Sequence, residues 1–223
     1  MLTPTHYTIS AEELQEAVNS IPAIDSRVSL NQPTGKFFND PWVIKPEYEG
    51  TVWELILDSL KESKGEARLI KLEQGTCYPS HADLDDRWHM SLTGNNSFII
   101  DLETQTMHQT SDLGRWYLMN AGIRHTAANF GSGDRIQLVV RKLIPDAVIA
   151  NPKHVQITLK NVVGERRFIF DDIISPWLNQ AFKLGIVKDF KGEDLKATMT
   201  IDEPYIDALA ERIKDYFILT VTD

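Results

Sequence analysis

Two histidines and an aspartate in the middle of the chain have the residue types and the spacing of metal ligands. His81 and Asp83 are two positions apart, so in an extended segment both side chains lie on one face. His125 follows after enough residues for several strands to leave the site and return. Two neutral imidazoles and one carboxylate leave several coordination positions of the metal open. In non-haem Fe(II) oxygenases, these open positions accept a bidentate 2-oxoacid and dioxygen. The spacing predicts such a site, with no catalytic residue beyond the metal ligands.

Cationic and donor side chains follow each part of this set. A 2-oxoacid with a second carboxylate needs a cation in the pocket, preferably one that binds in a bidentate manner. Arg135 is the natural candidate, because a turn at residues 130–134 in a strand–turn–strand unit would bring it back beside His125. Arg87 and His89 offer a second pair. The alternatives are that Arg135 pairs with a neighbouring acid and that His89 is a core histidine.

The elements that must hold these residues fall into three zones. Residues 1–65 contain a capping box, Ser10 with Glu13, that opens a helix reaching about Ser20, and helical spacing of apolar residues over 51–63. The second zone, about 66–145, is dense in short strands with polar turns, which predicts a sandwich or barrel. Its predicted strands are 67–72, 87–92, 97–101, 115–120 and 135–141.

The third zone, residues 152–223, has a mixed α+β pattern. Strands are predicted at 155–159, 167–170, 196–201 and 219–221, and helices at 175–184 and 205–217. We expect one oxygenase domain at 1–150, including the N-terminal helices, and a C-terminal extension or small domain at 151–223. Its role is open: it could dimerise or form part of a substrate groove.

Composition excludes several classes of function. The chain has 223 residues and a formal net charge of −9, which disfavours nucleic-acid binding, since that requires a basic surface. One cysteine, Cys77, permits no internal disulfide and fits a reducing compartment. No window has the roughly 18 apolar residues of a spanning helix, and the first residues do not form a signal peptide. We therefore expect a cytoplasmic protein that binds neither membrane nor nucleic acid.

The ordered motifs from Arg68 to Val140 resemble the aspartyl/asparaginyl β-hydroxylase-like branch of the Fe(II)/2-oxoglutarate-dependent oxygenases. The matching elements are a Gly turn, an H-x-D pair, an R-x-H pair and an ending of the form H-x-x-x-N-x-G followed by R-I-x-L. In this sequence they are His81 and Asp83, Arg87 and His89, then His125, Asn129, Gly131, Arg135, Ile136 and Leu138. The resemblance implies a mainly β protein with a double-stranded β-helix (jelly-roll, cupin-type) core, flanking helices and the C-terminal α+β extension.

The resemblance also implies roles for the site residues. His81, Asp83 and His125 would bind Fe(II), and Arg135 would bind the distal carboxylate of 2-oxoglutarate, helped by His89 and Arg87 as the remaining co-substrate residues. The implied activity is hydroxylation, with dioxygen, of an Asp, Asn or Pro side chain in a protein or peptide, or of a free amino acid. The main alternative is a non-oxidative metal-binding cupin, an isomerase or small-ligand sensor; a barrel reduced to a binding module is another.

Two smaller expectations concern the surroundings of the site. Asp85 and Asp86 are expected to be solvated loop carboxylates that could pair with Arg87. Trp88 and Trp116 are expected to form barrel or pocket wall rather than to stack on a substrate.

Overall fold

Antiparallel β-sheets make up most of the computed structural model, which describes residues 1–144, 147–160, 173–193 and 196–222. Strands account for 43% and helices for 20%, so the expectation of a mainly β protein is confirmed. The strands are β1 (Leu2–Thr8), β2 (Arg27–Ser29), β3 (Asn31–Pro33), β4 (Trp42–Ile44), β5 (Lys64–Leu72), β6 (Arg87–Ser91), β7 (Ser97–Asp101), β8 (Thr106–Gln109), β9 (Arg115–Met119), β10 (His125–Asn129), β11 (Arg135–Lys142), β12 (Pro152–Leu159), β13 (Val187–Glu193), β14 (Lys196–Asp202) and β15 (Phe217–Thr222).

Helices flank the sheets. They are α1 (Ala11–Asn19), α2 (Val52–Ser59), α3 (Ser175–Lys183) and α4 (Ile206–Ile213), with short 3-10 turns at Pro46–Tyr48 and Glu203–Tyr205. The predicted capping box is present, because the Ser10 side chain accepts from the Glu13 amide and the Glu13 side chain accepts from the Ser10 amide. The helix predicted over 51–63 ends earlier, at Ser59, and the one predicted over 205–217 ends at Ile213.

A six-stranded sheet, in the order β1-β9-β6-β11-β5-β2, forms the framework of the site. Nearly all residues of β11 are buried, and successive side chains of the strand point to opposite faces of the sheet. Ile136, Leu138 and Val140 join the cluster that includes residues of α1 and α2. The intervening side chains of Arg135, Gln137 and Val139 line a cavity on the opposite face.

A smaller sheet covers that opposite face. Its strand order is β10-β7-β8, and the segment 75–83 runs antiparallel along β10. This pairing includes hydrogen bonds from the Tyr78 amide to the Ala127 carbonyl (2.9 Å) and from the His81 amide to the His125 carbonyl (2.9 Å). Ile99 and Ala127 of the small sheet line the same cavity as the large sheet. The cavity therefore lies between the two sheets.

The C-terminal residues form a sheet of their own, β13-β14-β12-β15, with α3 and α4 packed in one apolar cluster. The α+β pattern predicted there is confirmed, although β13 was not predicted and the strand predicted at 167–170 lies outside the described residues. Phe38, Leu84 and Ile144 from the N-terminal part pack against this cluster. Leu84 directly follows Asp83, so the C-terminal sheet and helices support the segment that carries the candidate ligands. None of the described helices is both long enough and apolar enough to cross a bilayer.

Candidate metal and co-substrate site

The three predicted metal ligands come together at the cavity between the sheets. His81, Asp83 and His125 each offer one ligand atom, and these atoms lie within 4.8 Å of one another. His81 and His125 are directly opposite each other in the antiparallel pairing, with ring centroids 4.4 Å apart. Two ligand atoms about 2.0–2.2 Å from one ion lie roughly 3.0–3.5 Å apart when they bind side by side, so the three side chains must move closer together to hold one ion.

Backbone carbonyls fix the tautomer of both histidines. His81 Nδ1 lies 3.0 Å from the Pro79 carbonyl oxygen, and His125 Nδ1 lies 2.7 Å from that of Ile123. A carbonyl oxygen only accepts, so each Nδ1 carries the proton and donates it. Each Nε2 is left with a lone pair, and the His125 Nε2 lies 3.8 Å from an Asp83 carboxylate oxygen. This arrangement is typical of histidines that bind a metal, so the donor set fits a divalent ion.

Protonation also favours metal binding. Burial lowers the pKa of His125, which keeps its imidazole neutral. Burial is the largest single effect and would raise the pKa of Asp83, but the charges of Arg87, the two histidines and Arg68 together outweigh it, and the pKa of Asp83 is lowered. The site therefore presents a carboxylate and a neutral imidazole, the forms in which these residues bind metals.

A buried chain of ion pairs orients Asp83. Arg87 donates from Nη2 to Asp83 Oδ1 at 3.0 Å and its Nε lies 2.9 Å from Asp85 Oδ1. Arg141 Nε donates to the other Asp85 oxygen at 2.6 Å. Asp85 is 0% exposed, so the expectation that it is solvated is wrong: it is enclosed by two arginines, one of them distant in sequence. Arg87 lines the cavity, and two carboxylates already share its charge.

The same chain reaches the C-terminal cluster. Arg141 Nη2 donates to the Phe38 carbonyl at 2.9 Å, and the Arg141 guanidinium lies 3.5 Å from the centroid of the Phe38 ring. That ring stacks on Phe182 at 5.7 Å and meets Phe190 edge-on at 5.8 Å. The orientation of Asp83 is thereby linked to packing between the N-terminal loop and the C-terminal residues.

Arg135 lines the same cavity and has unpaired hydrogen-bond donors. It is 4% exposed and donates from Nη2 to Gln137 Oε1, while its buried Nε and Nη1 have no hydrogen-bond partner among the described residues. Burial lowers the pKa of Arg135 to about 10, with Tyr78 acting in the opposite direction, so it is charged at neutral pH. Buried unpaired N–H groups are costly, and an incoming carboxylate would satisfy them.

His89 is held by the same glutamine. Its Nδ1 lies 3.3 Å from Gln137 Oε1, an atom that must be the amide oxygen because an arginine donates to it. His89 therefore donates through Nδ1, which leaves Nε2 as an acceptor. Within the part of the chain that the structure describes, this buried atom has no partner, and His89 lines the cavity. Burial, then the charge of Arg135, lowers the pKa of His89 to about 3. A neutral His89 in this tautomer accepts a hydrogen bond through Nε2, and its predicted part in holding the co-substrate stays a prediction.

The turn before Arg135 differs from the sequence expectation. β10 pairs with β7, whereas β11 pairs with β5 and β6, so residues 130–134 cross from one sheet to the other and form no hairpin. Asn129 holds this turn, donating to the carbonyls of Leu72 at 3.0 Å and Gly133 at 2.8 Å. Arg135 still meets the metal ligands, but across the cavity rather than along a hairpin.

Several residues around the site were not predicted. Arg68, Tyr78 and Gln137 line the cavity, and alternation along β5 and β11 could have identified Arg68 and Gln137 as neighbours of Arg135 on one face. Trp88 and Trp116 instead belong to the apolar cluster beneath the helices. These two tryptophans form part of the barrel wall, as expected, on the side away from the cavity.

A protein-family model matches the part of the chain that holds the site. The sequence model of the aspartyl/asparaginyl beta-hydroxylase family matches residues 50–145, a stretch that is somewhat less than half of the chain and includes every site residue named above. No curated protein matches the chain. The resemblance carried by the motifs is therefore confirmed, and it favours an enzyme of the hydroxylase type.

Proposed function

We propose that the protein is an Fe(II)- and 2-oxoglutarate-dependent oxygenase that hydroxylates an amino-acid side chain. The observation that carries this proposal is the meeting, in one cavity, of a two-histidine, one-aspartate set with a buried arginine that has unpaired donors. The family match over residues 50–145 supports hydroxylation independently.

A jelly-roll core is part of the proposal. Successive segments alternate between the sheets: β5, β6, β9 and β11 belong to the large sheet, and 75–83, β7 with β8, and β10 belong to the small one. The resulting strand orders are β5-β11-β6-β9 and 75–83-β10-β7-β8. These orders support a double-stranded β-helix (jelly-roll) core. We assign residues 1–150 to this oxygenase unit and residues 151–223 to an extension that supports the ligand segment through Leu84.

In this proposal His81, Asp83 and His125 hold Fe(II) through two imidazole Nε2 atoms and one carboxylate oxygen. When bound, the iron with 2-oxoglutarate and dioxygen supplies the oxidant, since protein side chains cannot perform this chemistry. The carbonyls of Pro79 and Ile123 keep both imidazoles turned toward the ion. Arg87 holds the Asp83 carboxylate so that one oxygen is directed to the metal.

Arg135 binds the distal carboxylate of 2-oxoglutarate through its unpaired N–H groups. Gln137 orients it, with its own amide donating to Ser91 Oγ at 2.9 Å. The apolar wall formed by Ile99, Met119 and Ala127 excludes water around this pair, which strengthens it. The cavity volume is about 100 Å³.

Turnover of 2-oxoglutarate tests the proposal. We expect Fe(II)-dependent succinate formation by the purified protein, and an Arg135→Met variant with KM for 2-oxoglutarate raised about 10- to 100-fold, the worth of a charge-assisted hydrogen bond. Arg115→Met is the matched control, because that side chain is 42% exposed and absent from the cavity lining. If a metal binds but no succinate forms under any condition, the non-oxidative cupin becomes the better interpretation.

A further inference from the structure

Charges around the cavity leave one cation without a matching anion. Four arginines (Arg68, Arg87, Arg135 and Arg141) are connected to the site, against three carboxylates (Asp83, Asp85 and Glu66). A divalent metal adds two positive charges, and 2-oxoglutarate brings two negative ones. The occupied site would thus keep a net charge of about +1, which is costly in a partly buried cavity unless another anion enters.

Once the co-substrate is paired with Arg135, Arg68 is the arginine whose charge is least matched. Its side chain is 18% exposed and its Nη1 lies 3.4 Å from Glu66 Oε2, a long contact for an ion pair. The other Glu66 oxygen accepts from Ser29 Oγ at 3.1 Å, and no described residue pairs with the buried Arg68 Nε. Arg87, by comparison, is held by two carboxylates at 3.0 Å and 2.9 Å. Arg68 therefore has both charge and donors available for a ligand.

The strand register separates Arg68 from the co-substrate end of the cavity. Arg135 is opposite Leu72 on β5, whereas Arg68 is opposite Val139, four residues along the same strand. At about 3.3 Å per residue the two backbone positions are roughly 13 Å apart. Arg68 nevertheless lines the same cavity as Asp83 and the two histidines, so it can reach a molecule that binds beside the metal site.

A hydrogen-bond acceptor faces the same region. Val139 is opposite Arg68 on β5 and opposite His89 on β6, so the three side chains form one row across the sheet. The row spans two strand spacings, about 9.6 Å. His89 Nε2 accepts, for the reason given above, and has no partner. The row thus offers a cation for a carboxylate and an acceptor for an N–H group.

We propose that Arg68 binds a carboxylate of the substrate while His89 accepts from a nitrogen of the same molecule. The substrate class is then an amino-acid unit with a free carboxylate. This proposal rests on the proposed function. The carboxylate has two possible sources, the α-carboxylate of a free amino acid and the side-chain carboxylate of an aspartyl or glutamyl residue in a peptide.

Ligand binding without turnover tests it. Anaerobic protein with Fe(II) and 2-oxoglutarate is titrated with the twenty free L-amino acids and their α-amides. A second series uses Asp and Glu blocked by N-acetyl and C-methylamide groups, against blocked Asn and Gln. Thermal shift and calorimetry report binding, and the visible band of the Fe(II)–2-oxoglutarate complex reports the co-substrate. Wild type is compared with Arg68→Met, Arg68→Lys and the control Arg27→Met, an exposed arginine on β2.

We expect at least one acid to bind about 10- to 100-fold more tightly than its amide. That preference should vanish in Arg68→Met, persist in part in Arg68→Lys and be unchanged in Arg27→Met, with the visible band present in all of them. Preference within the first series identifies an α-carboxylate, and preference within the second identifies a side-chain carboxylate.

Three results would overturn the proposal: equal binding of acids and amides, no binding in either series, or loss of the visible band in Arg68→Met, which would make Arg68 a co-substrate residue. Equal binding can be seen in wild type alone, so the test holds even if Arg68→Met does not fold. Absence of the band in wild type is a separate outcome. It would remove the proposed function, and with it the basis of this proposal.

Discussion

Asp85→Asn probes the buried ion-pair chain behind the candidate metal ligand. Asp85 is 0% exposed and its two oxygens lie 2.9 Å from Arg87 Nε and 2.6 Å from Arg141 Nε. The substitution keeps the shape of the side chain but removes its charge, leaving each guanidinium in apolar surroundings with one remaining partner. Breaking a buried pair in this way costs about 3–5 kcal/mol. For a chain of this size, roughly 2–4 °C per kcal/mol gives a Tm lowered by about 6–20 °C.

Urea denaturation of the metal-free protein measures this loss. Asp86→Asn is the matched control: it is the adjacent carboxylate, and its 2.9 Å pair with Lys183 is partly exposed, at 17% and 30%. We expect that control to lose no more than about 1 kcal/mol. Asp85→Asn should also weaken divalent-metal binding, because Arg87 would no longer be held against Asp83. A loss of stability equal to that of Asp86→Asn would refute the reasoning.

Three further predictions concern single residues. Burial lowers the pKa of His89 to about 3; the unfolded chain, with a pKa of about 6.5, therefore takes up a proton that the folded state does not. The contribution of His89 to the free energy of unfolding should be complete above about pH 6.5 and should fall at lower pH by up to roughly 1.4 kcal/mol per pH unit. Denaturation of wild type and His89→Gln at several pH values should show a smaller slope in the variant. Gly94 has φ +104° and an added Cβ would lie 3.2 Å from the Arg135 Cα, so Gly94→Ala should cost about 1–3 kcal/mol and weaken 2-oxoglutarate binding in calorimetry; unchanged affinity would count against Arg135. Ser10→Ala should cost about 1 kcal/mol in urea denaturation with unchanged metal binding, since the box formed with Glu13 only caps α1.

Local patterns carried most of the strand and helix predictions. β7 was predicted with its observed bounds, and β11 to within one residue, because β-branched and apolar residues alternate between turn signals. No bounds were predicted for β10, since His125–Asn129 holds small and polar residues whose extended form depends on pairing with β7 on one side and with the segment 75–83 on the other. Such pairing is tertiary information that a single sequence does not display.

The site shows the same division. The ligand set followed from residue types and spacing, because the i, i+2 rule brings His81 and Asp83 to one face. The burial of Asp85 did not follow, since its second partner, Arg141, lies 56 residues away in sequence. The acceptor role of His89 also depends on Gln137, which an arginine orients. A role that depends on a third residue can be assigned only from the three-dimensional structure.

An anaerobic titration tests the central claim most directly. Fe(II) is added to the metal-free protein, followed by 2-oxoglutarate, and the visible absorption is recorded for wild type, His81→Ala and the control His108→Ala, a histidine of β8 outside the ligand set. The account predicts a weak charge-transfer band in wild type and His108→Ala that is absent from His81→Ala. Binding of Fe(II) without a band on addition of 2-oxoglutarate, or a band that survives in His81→Ala, would contradict it.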